Sequence, residues 1–393
     1  MIILDVNKSN FLFMARNRVI YQSEGLFTSS GIYATGTGAH LQLKRVQSAN
    51  YSFEITRQDV NQFGQLARID ALVLQSPTVS LDLSYYLADG FNEKALGFAV
   101  QNGAIGSGVN FASGQMVSSE GRNFYIVTSA DGIDLNFDNA SGVAAANGLS
   151  GKGVIGIGNG FVTDYTLNAA VGDLPTVSVS IEGLGFNAAT YSAAAGVTGV
   201  PSPAINPESG TSVGYIVQLP VPGTGNGVTA LRPGDITLNF GGFTGTGGTP
   251  TSNVDMADGG SINIQSVSLS LPMSRTPIER LGSRFAFARV TDFPVTATMS
   301  VNALVNEVQA RNLASMIDDG NERNITLTIK KPGLTEEAIR YVFKAARLDS
   351  ESYSSDIGSN KSVDITFSTQ IGGPNDSIHG IFVSGADDST LYA

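Results

Sequence analysis

Val46-Gln47-Ser48-Ala49-Asn50-Tyr51-Ser52-Phe53-Glu54-Ile55 and Ile264-Gln265-Ser266-Val267-Ser268-Leu269-Ser270-Leu271-Pro272-Met273 carry one pattern, 218 residues apart. Tyr51, Phe53 and Ile55 fall on Leu269, Leu271 and Met273. The apolar positions keep phase, so the same face of a strand is buried in both stretches. At the same offset Ser52 meets Ser270, Arg57 meets Arg275 and Gly64 meets Gly282. A one-residue gap then brings Pro77 onto Pro294 and Leu87 onto Leu304. Each stretch reads as a strand, a long polar loop, a second strand with a proline near its start, and a helix.

Outward from this pair the β signal dominates. Val79-Ser80-Leu81-Asp82-Leu83, Val177-Ser178-Val179-Ser180-Ile181, Ile325-Thr326-Leu327-Thr328-Ile329 and Val363-Asp364-Ile365-Thr366-Phe367 alternate with period two. Such strands build antiparallel sheets with one packed face and one face that is wet or pressed on a partner. A second hairpin repeats at an offset of 186: Leu167, Val171 and Gly172 fall on Tyr353, Ile357 and Gly358, and Val177, Val179 and Ile181 on Val363, Ile365 and Phe367. The spacing predicts two helices, over 91–98 and over 303–317, the latter from Val305, Val308, Leu313, Met316 and Ile317 on one stripe. After Thr335-Glu336-Glu337 the alternation of Ile339, Tyr341 and Phe343 favours a strand.

The organisation expected is therefore an N-terminal arm (1–40), a first domain (41–187), a Gly/Pro/Thr-rich linker or ornamental insertion (188–258), a second domain (259–375) and a C-terminal arm (376–393). Inside the insertion, Tyr215-Ile216-Val217-Gln218-Leu219 and Ile236-Thr237-Leu238-Asn239-Phe240 read as a hairpin. The Gly/Ala/Ser-rich stretch 129–153 accounts for much of the extra length of the first domain.

Composition excludes several functions. The 393 residues hold no Cys, no Trp and two His, so a disulfide framework and a Cys-based metal site are ruled out and a His-rich one is not expected. The net charge of −11 argues against a protein that grips DNA phosphates. Charged residues are 15%, against a usual ~25%, which suits a surface buried against neighbours. No apolar run is long enough for a membrane span, and the start, with Asp5 and Lys8, does not read as a signal peptide.

No constellation asks for an enzyme. Gly156-Ile157-Gly158-Asn159-Gly160 resembles a phosphate loop, but strand-like Phe161-Val162-Thr163 follows where a helix should open. Asp131-Gly132-Ile133-Asp134 and the run 255–258 lack calcium-loop spacing and read as solvated turns. His40 and His379 lie in the arms, and no Gly-x-Ser-x-Gly elbow opens a helix. Catalytic, metal and cofactor sites are all expected to be absent. The polar loops are different. Arg57, Asp59, Gln62 and Phe63 in the first, and Arg275, Glu279, Arg280 and Leu281 in the second, place an apolar residue among charges with Arg and Gly in register. A long loop repeated in this way is expected to meet a partner rather than only water.

Arg45-Val46-Gln47-Ser48-Ala49-Asn50-Tyr51 through Asp59-Val60-Asn61-Gln62-Phe63-Gly64, with Ser76-Pro77-Thr78-Val79-Ser80-Leu81, resembles the major tail tube proteins of tailed bacteriophages. Phe161-Val162-Thr163-Asp164-Tyr165 with Val171-Gly172-Asp173-Leu174-Pro175-Thr176 is similar to the second hairpin of such proteins. The likeness covers most of 14–187 and 260–375 and rests on pattern and order; residues 1–13 and 188–258 depart from it. It implies a mostly β fold: two tandem tube-like β-sandwich or barrel domains, each with one flanking helix, whose strands join across subunits into a barrel around a lumen. It further implies a trimeric, pseudo-hexameric ring that stacks into a tube, with no cofactor. The partners implied are other copies of the chain, the tape-measure, terminator and baseplate or tip proteins, and DNA that passes without specific binding. The location implied is the virion tail, assembled in the host cytoplasm, with no membrane contact. Another ring of the same virion, such as a tail terminator, distal tail or head-decoration protein, is the near alternative. A secreted β-sandwich adhesin is the distant one, and it would want an export signal, calcium motifs and aromatic platforms.

Overall fold

Period-two alternation of apolar and small polar residues makes almost every regular element here a strand. The computed structural model describes residues 24–73, 76–102, 109–118, 121–129, 135, 149–194, 197–222, 231–232, 234, 236–240, 254–255, 262–283, 285–305, 322–332, 336–354 and 362–385. The first half holds β1 (Glu24–Ser29), β2 (His40–Gln42), β3 (Val46–Glu54), β4 (Arg57–Val60), β5 (Asp70–Val73), β6 (Thr78–Tyr86), β7 (Val100–Asn102), β8 (Arg122–Thr128), β9 (Gly153–Ala170), β10 (Thr176–Gly183) and β11 (Gly185–Thr190). Two short helices, α1 (Phe91–Leu96) and α2 (Ser113–Val117), interrupt them. Five brief strands follow: β12 (Ser192–Ala194), β13 (Val197–Pro201), β14 (Ile205–Asn206), β15 (Thr211–Ser212) and β16 (Ile216–Val217). The rest holds β17 (Ile236–Phe240), β18 (Val254–Asp255), β19 (Ile262–Pro272), β20 (Arg275–Ile278), β21 (Ala288–Thr291), β22 (Thr296–Val305), β23 (Arg323–Lys330), β24 (Glu337–Ser354), β25 (Ser362–Gln370) and β26 (Gly380–Gly385). The protein is mostly β, and no closed barrel forms within one chain among the described residues.

Antiparallel pairing sets the order β3-β6-β10-β9 and, further along, β19-β22-β25-β24. The registers coincide. Tyr51 faces Leu81 as Leu269 faces Met299, and Val177 faces Leu167 as Val363 faces Tyr353. Register shifts also fall at matching places, between Val46 and Ser48 as between Ile264 and Ser266, and between Ser180 and Ile181 opposite β9 as opposite Asp349 in β24. A bulge bends a strand and sharpens its twist, so matched bulges give matched curvature. The pairing of Ser48 with Ser84 and of Ser266 with Asn302 keeps the 218-residue offset through β22. The one-residue gap expected near Pro77 and Pro294 therefore does not displace the strands.

β9 and β24 are each 18 residues long and run on into a second set of pairings. There the order is β2-β1-β8-β9-β11 in the first half and β18-β17-β23-β24-β26 in the second. The halves join directly. β9 pairs with β19 from Ala170 opposite Ser266 to Asp164 opposite Pro272, and β26 pairs in parallel with β7. One apolar core, including Leu81, Tyr165, Leu269, Met299, Tyr341 and Phe367, runs through both. A smaller cluster around Phe27, Tyr125, Val200 and Val217 seats β13 and β16 on the first half.

Several expectations are corrected. β1 and β26, expected in flanking arms, are sheet strands, because Leu26, Phe27, Ile381 and Phe382 are buried side chains of the core layers. The helix expected over 303–317 is strand as far as Val305, because Ala297, Met299, Val301 and Ala303 continue the alternation; its remainder lies outside the described residues. The helix over 91–98 forms and stops at Leu96, where Gly97 takes the left-handed cap (φ 97°). The two segments of the supposed insertion hairpin do not pair with each other. Ile216–Val217 joins β13, while Ile236–Phe240 pairs with β23 and so belongs to the second half. The stretch 129–153 lies largely outside the described residues.

Candidate functional site

Two hairpins leave the joined sheet at equivalent points, β4–β5 and β20–β21. Their turns carry Gly64 (φ 85°) and Gly282 (φ 87°), a left-handed backbone that a β-carbon would strain. Beside those glycines, Phe63 and Leu281 stand fully in solvent. In the first hairpin Asp59 takes a hydrogen bond from Arg68 at 2.9 Å, and Gln62 donates to Gln65 at 3.2 Å. Arg57 is exposed in β4, and every residue from 50 to 70 is exposed.

The second hairpin lies against the first half. Arg275, expected on a polar loop, is instead a buried strand residue. Its guanidinium sits 4.4 Å from the Phe161 ring centroid and donates to the carbonyls of Gln115, Arg289 and Ser118. Burial, with Arg289 close by, pulls its pKa down to about 10. Arg289 pairs with Glu182 at 2.9 Å across the two halves. Glu279 is exposed, and Arg280 donates to the Glu208 carbonyl and stacks over Phe287. The structure thus separates the two arginines expected to act alike: Arg275 is an anchor within the chain and Arg57 is left outside.

The other face of the joined sheet is small, polar and hydrogen-bonded across strands. Ser48 meets Ser84 (2.6 Å), Ser52 meets Ser80 (2.7 Å), Ser180 donates to Asp82 (2.7 Å), Ser300 meets Thr366 (3.3 Å) and Asn302 donates to Asp364 (2.6 Å). β3, β6, β9, β10, β19, β22 and β25 contain no Lys or Arg, while Asp82, Asp164, Glu182 and Asp364 lie among them. Hydroxyl ladders occupy many of the donors and acceptors of this face, and its charge is mainly acidic, with Arg347 of β24, paired with Glu322, at one edge and Arg289 against Glu182.

Inside, Glu93 of α1 is completely buried. It accepts from the Tyr85 hydroxyl (2.8 Å) and the Tyr165 hydroxyl (3.3 Å), and Tyr165 meets Tyr341 (2.8 Å). Burial raises the Glu93 carboxyl to about 7 and holds all three phenols above their usual range. Perturbed acids often mark active sites. This cluster is sealed from solvent, with side chains from both halves; Glu93 Oε1 takes both phenol hydrogen bonds, while its buried Oε2 has no hydrogen-bond partner among the described residues. The Gly156–Gly160 run lies within β9, not before a helix. A β-carbon on Gly158 would strike the Pro203 backbone, and one on Gly160 would come within 2.7 Å of Phe124, so close packing explains these glycines. Of the acidic runs, Asp131, Asp134 and 256–258 lie outside the described residues, and Asp255 is in β18. Among the described residues no group of acids and histidines could hold a metal, and no helix is long and apolar enough to cross a membrane.

Sequence reasoning missed Glu93, Tyr165, Tyr341 and Arg289. A lone Glu in a short helix and a Tyr in an alternating strand carry no local mark of meeting each other. Arg289 was detectable in principle, as a charge at an inward position of an alternating run.

Fold and site together define a mostly β, largely antiparallel chain with a polar, mainly acidic sheet face and two hairpins that leave it. No family model and no curated protein matches it. Among solved structures it is similar to the tail of an empty GTA particle in C6 symmetry, at 13% identity and a TM-score of 0.26, over 36% of this chain and 95% of that one. It is also similar to the SPP1 tail tube, at 10% identity and a TM-score of 0.28, over 41% of this chain and 83% of that one. Both pairings take in less than half of this chain.

Proposed function

We propose that this chain is a structural, non-enzymatic virion protein that builds the tube of a phage tail. In this reading 41–187 extended by β1, and 259–375 extended by β17, β18 and β26, are two copies of one tube-like domain. Three chains then close a pseudo-hexameric ring, rings stack through the hairpins and arms, and DNA leaves through the bore. Assembly takes place in the host cytoplasm, with the tape-measure, terminator and tip proteins as further contacts.

The observation that carries the reading is the polar face of the joined sheet. Seven strands without a Lys or Arg present Asp82, Asp164 and Asp364 among serines and threonines. A bore lined this way has a net acidic wall, with Arg347 of β24 paired to Glu322 at its edge, so it repels phosphates and a duplex slides. The exposed tips at Phe63 and Leu281 have the apolar character of a contact between stacked rings.

Negative-stain microscopy of the purified protein tests this. Hollow tubes with a regular ring repeat are expected. Dispersed monomers at high concentration, or tubes whose bore is predominantly basic, would overturn it.

A further inference from the structure

The two halves of the chain meet edge to edge, and that internal seam is a template. β9 and β19 pair antiparallel, with Leu167 opposite Leu269 and Thr166 opposite Ser270. β3 stands to β6 as β19 stands to β22, and the 347–354 segment of β24 stands to β25 as the end of β9 stands to β10. Among the described strand pairings, β3 pairs with β6 alone and 347–354 with β25 alone. Among the described residues the two outer edges therefore match, strand for strand, the two that already fit each other inside the chain.

Burial shows which face is waiting. Leu269, Leu271 and Met273 are 0%, 0% and 1% exposed, because the first half covers them. Their equivalents Tyr51, Phe53 and Ile55 are 41%, 57% and 39% exposed, although Phe186 stacks against Tyr51 and Phe53. A long, apolar, unpaired edge is an aggregation hazard unless something covers it. The hairpins repeat the contrast. β20–β21 is anchored on the first half by Arg275 and Arg289, and β4–β5 lies open.

We infer that β3 of one chain pairs antiparallel with the 347–354 segment of β24 in a second copy, in the register of the internal seam, and that this contact covers Tyr51, Phe53 and Ile55. Shifting the seam by the two repeat offsets places Tyr51 opposite Tyr353, Ser52 opposite Ser352 and Asn50 opposite Ser354. The contact is heterologous, so it repeats from chain to chain until it closes. This inference deepens the tube reading, and it rests on that reading for closure and stacking while the edge and its register stand on the seam.

The chain has no cysteine, so paired substitutions report the register without background. Residues directly opposite in an antiparallel pair bring their β-carbons within disulfide reach, and diagonal neighbours do not. A Ser52→Cys chain mixed with a Ser352→Cys chain under mild oxidation is expected to give a covalent dimer on a non-reducing gel. Ser52→Cys mixed with Ser354→Cys is expected to give at least tenfold less. The double variant Ser52→Cys/Ser352→Cys is expected to give a ladder that stops at the closed ring. Assembly into rings or tubes without the Ser52/Ser352 link, or with equal linking of the diagonal pair, overturns the inference and leaves the tube reading intact. Register-specific links without any tube support the inference and overturn the tube. Protein that stays monomeric and unlinked at high concentration overturns both. Circular dichroism of each variant confirms that the fold is kept.

Discussion

Arg289 Nη1 lies 2.9 Å from Glu182 Oε1, and this ion pair clamps the β20–β21 hairpin to a strand of the other half. The Arg289 side chain is buried and that of Glu182 is partly exposed. Removing the acid leaves a desolvated guanidinium beside the equally buried Arg275. Glu182→Ala is expected to destabilise the chain by about 2 kcal/mol, and Glu182→Gln by less, because the amide oxygen still accepts. Urea unfolding monitored by circular dichroism measures both; an unchanged midpoint for the alanine variant would show the clamp to be idle.

The two arginines that align in sequence should behave oppositely. Arg275→Ala removes three carbonyl contacts and the stacking on Phe161, and is expected to lose about 2–3 kcal/mol. Arg57→Ala, at an exposed position, is expected to stay within about 0.5 kcal/mol of the parent. Equal effects on unfolding would contradict the difference in burial.

Glu93 makes stability depend on pH in a stated direction. Its carboxyl titrates near 4.5 when unfolded and at about 7 when folded, chiefly through burial, with Asp89 adding to the rise and the Tyr85 and Tyr165 hydroxyls opposing it. The folded form holds the proton more tightly, so its contribution is complete below about pH 4.5 and fades as pH rises to about 7. The loss is on the order of 3 kcal/mol. Thermal melts from pH 4.5 to 8 are expected to show this decline, and Glu93→Gln, which mimics the protonated acid, should flatten it. A Glu93→Gln profile as steep as that of the parent would assign the slope to other groups.

Stacking is addressed at the hairpin tips. Phe63→Asp with Leu281→Asp changes two fully exposed side chains and is expected to leave unfolding unchanged while shortening the tubes seen in negative stain at least severalfold. Tubes of unaltered length would mean that the tips face water.

Much of the strand framework was legible in the sequence because a half-buried strand repeats every two residues, as in Val177-Ser178-Val179-Ser180-Ile181. The resemblance at Val46–Ile55 and Ile264–Met273 was legible for the same reason: phase survives where identity does not. The helix over 303–317 was misread because Ala303 and Val305 end an alternating strand and also fit a helical stripe. The partner of Ile236–Phe240 was illegible because β23 lies about ninety residues away and register is decided in three dimensions. The burial of Arg275 was hidden for a like cause, since Gln115, Ser118 and Phe161 come from the other half.

The seam between β9 and β19 also imposes a rule of parity. Because two four-stranded sets lie in one polypeptide, the joint between them forms during folding at the high effective concentration of a tether, without a collision between chains. Any closed wall made from this chain then contains an even number of sets. Since barrel diameter grows with strand number, rings one set too narrow or too wide are removed by covalent connectivity itself, before any contact energy has to discriminate against them.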